Sequence, residues 1–167
     1  MNLDSKPSLA TINKVDIEPI IAYYCRKFSA DRERALRAAD EVKKWMVLSA
    51  LHPSDDFPML AGDVDDFWHS AILYTPIYFQ LCEALGGIYI HHVPCDPIST
   101  VNNERGKAVI DAEFSAQYEK FVAAYDAEFG RLSDQHPYWP RYIRKDHEGC
   151  TACRRPPDPI RACGLRG

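Results

Sequence analysis

Three of the six histidines in this chain fall in two short runs, Val64-Asp65-Asp66-Phe67-Trp68-His69 and Tyr89-Ile90-His91-His92-Val93-Pro94. Imidazole is a common metal ligand and the usual group for proton transfer near neutral pH. Asp65 and His69 are four residues apart, so on a helix they share one face. The acid then either orients the imidazole or binds the same ion. His91 and His92 are adjacent, and in an extended segment they point to opposite faces, so one of the two joins His69. His69 with His91 or His92, completed by Asp65 or Asp66, would be a two-histidine, one-carboxylate set. Such sets hold Zn²⁺ or Fe²⁺ and leave positions open for water or substrate. If the site is catalytic, an open position would activate water or an oxygen species, with Asp66 assisting proton transfer. Asp66, Trp68 and Cys82 are the expected neighbours of the set. The same residues also suit two metal-free roles. His69 can donate one N–H to a backbone carbonyl and simply complete a core, or the histidines can act as acid and base.

A second group of ligand types lies near the C-terminus. Cys150-Thr151-Ala152-Cys153 is a C-x-x-C pair, followed by Cys163 and preceded by His147. Two thiolates on such a turn can share one metal, and Cys163 with His147 would complete four ligands. One C-x-x-C is a weak signal, and the thiols can equally remain reduced in an unstructured tail. The tail can also be read as a substrate, presented by the folded domain to an enzyme that modifies its cysteines.

The elements that must position these residues are helical. Ile17, Ile20, Ile21, Tyr24, Cys25 and Phe28 recur at helical spacing and predict a helix over 15–28, with Pro19 in its first turn. Ser29 or Asp31 caps a second helix that ends near His52-Pro53. Its buried stripe is Ala35, Leu36, Ala39, Val42, Trp45, Met46 and Ser49. Arg32, Arg34, Arg37, Glu41 and Lys44 fall on the opposite face. Residues 54–62 read as a loop. A third helix opens on Asp63, Asp65 or Asp66, where acids favour the macrodipole. Thr75-Pro76 breaks it and caps a fourth over 77–85, which Gly86-Gly87 stops. Ile88 to Val93 is β-branched and aromatic, hence extended. A long helix spans 104–129, closed by Gly130. The aromatic segment 131–142 packs back on the domain. His52, His136 and His147 sit beside prolines or charges and read as surface or loop residues.

From Arg144 the character changes to six basic and three acidic side chains, three cysteines and little apolar bulk. Against a total of -4, this leaves -7 for the first 143 residues. The expected architecture is all-α: a compact bundle of about five helices over 1–143, with the extended His-His segment, and a flexible basic tail over 144–167.

The ordered series Lys44-Trp45-Met46, Leu51-His52-Pro53, Asp65-Asp66-Phe67-Trp68-His69, Ile72-Leu73-Tyr74-Thr75, Tyr78, Cys82 and Gly87 through Pro94 resembles the bacterial branch of the glycine-rich domain-containing protein-like family. That family carries D-x-x-W-H, I-L-x-T and G-x-x-I-H-H-x-P in this order. Tyr125, Phe129-Gly130 and Trp139 are similar to its closing pattern. The resemblance implies a mostly helical fold and a cysteine-bearing tail, and it supplies no reaction. Many relatives place a polar residue or second histidine shortly after the tryptophan-linked histidine. Here Ser70 and Ala71 follow His69, so this helix alone does not supply two histidine ligands.

The bulk composition, with 167 residues, 46% hydrophobic and 26% charged, suits one domain. No apolar run is long enough for a bilayer, and the first residues lack a signal-peptide core, so a soluble cytoplasmic protein is expected. Cys25 and Cys82 lie among apolar residues as small buried hydrophobes. Arg131, Arg141, Arg144 and Lys145 near Tyr138, Trp139 and Tyr142 form a small basic–aromatic patch, but the acidic domain argues against nucleic acid. Two function classes remain. One is a metal-binding domain, catalytic or not. The other is a protein-interaction or carrier module whose cysteine tail is the working part.

Overall fold

The computed structural model describes residues 6–92, 104–141 and 149–150. Helices dominate them: α1 (Leu9–Ile12), α2 (Glu18–Phe28), α3 (Arg32–Leu51), α4 (Asp63–Leu73), α5 (Thr75–Ala84) and α6 (Glu104–Phe129). The five long helices expected from periodicity are all present. The single turn α1 is additional, closed by Thr11 Oγ1 donating to the Ser8 carbonyl (2.7 Å). It seats Ile12 in the core.

Cap chemistry sets the boundaries. Asp31 is the N-cap of α3, its carboxylate accepting from the Arg34 N–H (2.7 Å). Ser29 instead ends α2, in the left-handed region at φ 51°. Pro19 lies in the first turn of α2. The α4–α5 break falls where Thr75-Pro76 predicts it, but the capping position is Tyr74 rather than Thr75. Tyr74 closes α4 and opens α5, its carbonyl accepting from Ile77 and Tyr78 (both 2.9 Å). Pro76 follows in the first turn, where its missing N–H costs nothing. Gly86 and Gly87, at φ 84° and 79°, then turn the chain away.

α3 is the central helix, with α1, α2, α4 and α6 packed on it. Ala35, Ala38, Ala39, Val42, Trp45, Met46, Val47 and Leu48 are all buried. The small residues near its start let neighbouring helices approach closely. Leu36, expected in the buried stripe, is 44% exposed, and Glu41, expected on the polar face, is 5% exposed. The tertiary arrangement of α6 and the segment behind it covers Glu41 and leaves Leu36 outside.

The segment between α3 and α4 is not all loop. Met59–Leu60 (β1) pairs antiparallel with Gly149–Cys150 (β2), Met59 opposite Cys150. The two tail residues described are therefore tied to the domain by backbone bonds rather than loose. The extended Ile88–His92 joins no ladder among the described residues.

Each tryptophan ties a separate piece to the bundle. Trp45 Nε1 donates to the Phe57 carbonyl (3.3 Å), Trp68 Nε1 to the Tyr78 hydroxyl (3.2 Å), and Trp139 Nε1 to Glu41 (2.8 Å). Trp139 lies fully buried against Phe121 of α6, so the closing aromatic segment does fold back. Among the described residues no helix is long and apolar enough to cross a membrane.

Candidate functional site: a histidine pair beside Trp68

The first turn of α4 carries Asp63, Asp65 and Asp66, all favoured by the helix N-terminus. Their roles differ. Asp63 is neutralised by Arg34 (Nε to Oδ2, 2.8 Å) and accepts from the Tyr24 hydroxyl (3.1 Å). Arg34 is the main reason its carboxyl lies below the usual range. Asp65 faces His69 one turn on, as the four-residue spacing requires. Its carbonyl accepts from His69 Nδ1 (2.8 Å), and its Oδ1 lies 3.3 Å from the same nitrogen without a hydrogen bond of its own. Burial raises the Asp65 carboxyl, opposed by His69 and assisted by Asp66. The Asp66 carbonyl accepts from Ser70 Oγ (2.8 Å), and its carboxyl is raised by burial and by Asp63.

A carbonyl oxygen can only accept, so the hydrogen bond to Asp65 fixes a proton on His69 Nδ1. The Nε2 lone pair is then free. It faces Nε2 of His92 at 2.8 Å, and the two rings meet edge to face at 4.6 Å. In the metal-free pair His92 must supply the N–H between them. Burial, and then the neighbouring His69, lower the pKa of His92, which keeps its ring neutral to more acidic pH.

Alternation along the extended segment chooses His92 over His91. Ile90 is buried, His91 is exposed against Tyr89 (4.7 Å between rings), and His92 turns inward again. Trp68 forms the wall behind the pair, 5.2 Å from the His92 ring and 5.9 Å from that of His69. Cys82 does not face the histidines. It lies against Tyr78 and the Ile90 backbone, and burial pushes its thiol up to about 11. It is therefore a protonated thiol near neutral pH.

Asp65 sits on the Nδ1 side of His69, whereas His92 sits on the Nε2 side. One ion at Nε2 therefore does not meet the Asp65 carboxylate, and it is the Asp65 carbonyl that orients the ring. Among the described residues no His, Cys, Asp or Glu completes a group of three able to hold a metal. Of the tail ligands, Cys150 has only its backbone described, in β2. His147, Cys153 and Cys163 lie outside the described residues.

Tyr78, which sequence reasoning did not assign to the site, places His92. Its hydroxyl accepts from Trp68 and donates to the Ile90 carbonyl (2.5 Å), so one oxygen joins α4, α5 and the histidine segment. Tyr78→Phe should cost about 1–3 kcal/mol, because a buried carbonyl and an indole N–H both lose a partner. Urea unfolding monitored by circular dichroism measures this, and an unchanged midpoint would remove Tyr78 from this role.

Glu41 was also missed. It accepts from Trp139 Nε1 (2.8 Å), from the Tyr125 hydroxyl (3.2 Å) and from Lys44 (2.7 Å), and His136 Nε2 lies 3.8 Å away. His136, expected at the surface or in a loop, lies in a loop and is half-buried beside a carboxylate. The spacing Ala38, Glu41, Trp45, Leu48 is helical and apolar at every other position, which was the available signal.

Neither the known family models nor the curated proteins nor the solved structures include a match to this chain.

Proposed function

We propose that the protein binds a divalent transition metal, Zn²⁺ or Fe²⁺, through His69 and His92, with Asp65 orienting His69. The observation that carries this reading is the convergence of two Nε2 atoms at 2.8 Å, with His69 Nδ1 held by Asp65. Metal-ligating histidines usually donate their other ring N–H in this way. Two imidazole nitrogens on one tetrahedral ion lie about 3.3 Å apart for bonds of about 2.0–2.1 Å. The pair therefore needs to part by only a fraction of an ångström. Two protein ligands leave the remaining positions to water or a bound molecule. This reading is compatible with membership of the glycine-rich domain-containing protein-like family, which supplies no reaction of its own.

Calorimetric titration of the full chain with Zn²⁺ should give one ion per chain. His69→Ala should abolish that binding. Asp65→Ala keeps the carbonyl that holds Nδ1 and removes only the carboxylate 3.3 Å away, so it should weaken binding much less than His69→Ala does. Binding unaffected by His69→Ala would end the proposal.

The β1–β2 ladder supports a second reading, in which a metal sits in the tail. It brings the backbone of Cys150 onto the domain, at the first residue of the C-x-x-C pair. A Cys150→Ser, Cys153→Ser double variant distinguishes the two. Binding lost there and kept in His69→Ala would assign the ion to the tail. A carrier or protein-interaction role would go with that outcome.

A further inference from the structure

The closing segment, Arg131–Arg141, is fastened at two places by different chemistry. At its base, where its two ends meet, Arg141 pairs with Asp126 of α6 (2.6 Å) and donates to the Leu132 carbonyl (3.1 Å), while the Leu132 N–H donates to Asp126 (2.7 Å). Arg141 and the Leu132 N–H hold the Asp126 carboxyl below its usual range. This part of the segment stays ionised in mild acid.

The turn between those ends depends on His136. Its Nδ1 accepts from the backbone N–H groups of Trp139 (3.1 Å) and Tyr138 (3.4 Å). A ring nitrogen that accepts carries no proton, so His136 is neutral, with its one proton on Nε2 toward Glu41. The turn so formed presents Trp139 to its buried seat, where Nε1 reaches Glu41.

We infer that His136 is an acid-sensitive latch: a proton taken up on Nδ1 loosens the 136–139 turn and with it the seat of Trp139, while the base at Asp126 stays closed. An imidazolium has N–H on both sides, and its Nδ1–H would point at two backbone N–H groups. Both hydrogen bonds that shape the turn are then lost.

The charges around the ring decide whether the cation can stay. Glu41 and Lys44 face it from α3, the Tyr125 ring lies 6.2 Å away on α6, and the Tyr138 ring lies 6.1 Å away in the segment itself. Glu41 attracts a charged His136, but the Lys44 ammonium already sits on the same oxygen, Oε1. Lys44 is shared with the half-exposed Asp40 (2.9 Å), so within the buried part of the cluster a second cation meets a carboxylate that is already paired. Burial first, and repulsion from Lys44 in addition, lower the His136 pKa against the pull of Glu41. The sign follows: a histidine with a lowered folded value contributes its full stability above the unfolded value and loses it as pH falls from there through the folded value. What emerges on release is Trp139, and what it uncovers is a carboxylate between aromatic walls.

Two measurements test this on the full chain. In an NMR titration His136 should change protonation below the ordinary histidine value of about 6.5. A midpoint at or above that value overturns the latch. In His136→Asn the amide oxygen takes the place of Nδ1 and accepts the same N–H groups, but it does not titrate. Hydrogen–deuterium exchange over 131–141 is then compared between the two proteins at equal pH, so the intrinsic pH dependence cancels. At about pH 7.5 they should be protected alike, and at about pH 5, below the unfolded histidine value, the native chain should exchange severalfold faster. Equal protection at the lower pH overturns the inference. If the variant fails to dock even at the higher pH, the native titration decides alone.

Discussion

Glu41→Ala is expected to destabilise the protein by about 3–5 kcal/mol, the scale for removing one partner of a buried charged pair. The loss is large because four groups were arranged around that carboxylate. Trp139 Nε1 and the Tyr125 hydroxyl are buried and lose their acceptor, and Lys44 keeps a charge whose remaining partner is the more exposed Asp40. Such orphaned groups cost more than the original bonds contributed. Glu41→Gln should cost less, about 1–2 kcal/mol, because its amide oxygen still accepts from Trp139 while the charge for Lys44 is gone. Guanidinium unfolding of the three proteins gives both numbers. An alanine variant as stable as the native chain would mean that the cluster contributes nothing to holding the closing segment.

Trp68→Ala is expected to cost a similar amount, about 3–5 kcal/mol, but for a different reason. Here the loss is mainly volume. Trp68 is fully buried, packs against Trp45 at 4.9 Å, and fills the space between α3, α4 and the histidine segment. The variant should also reach beyond stability. With the indole gone, the His92 ring loses its wall and the Tyr78 hydroxyl loses its donor. Zn²⁺ affinity should therefore fall in the fraction that remains folded. Trp68→Phe restores part of the volume without the N–H and should recover most of the stability. Unfolding midpoints and calorimetric titration of the two variants separate packing from hydrogen bonding. Full metal affinity in Trp68→Ala would show that the wall does not position the pair.

The helices were legible because their signals are local. Asp31, Pro19, Thr75-Pro76, Gly86-Gly87 and Gly130 each act on the backbone within a turn of where they stand, and the long helices begin and end within a few residues of the expected places. The meeting of His69 with only one of two adjacent histidines also followed from a local rule, the alternation of an extended chain. What escaped was set by distant contacts. Glu41 looks like a solvated residue in its own helix, and only the arrival of Tyr125, His136 and Trp139 makes it a buried acceptor. The same arrival converts His136 from a residue beside a proline into a charged-cluster neighbour. The strand at Met59–Leu60 has its partner in the tail, so no local pattern announces it. Asp65 was read as ligand or orienter from one spacing. Its place on the Nδ1 side of the imidazole ring is set by the three-dimensional fold and not by that spacing.

The Tyr78 hydroxyl gives the histidine pair a mechanical dependence that neither histidine contains. Among the described residues Ile88–His92 joins no ladder, and α5 holds it through the Tyr78 hydroxyl and the Cys82 thiol on the Ile90 backbone. His69 moves with α4. The 2.8 Å gap between the two nitrogens is therefore a gauge of the angle at Tyr74, where α4 hands over to α5. A ligand, partner or crystal environment that flexes that joint would change the spacing of the pair without touching either imidazole. Binding at the pair would, by the same linkage, stiffen the joint.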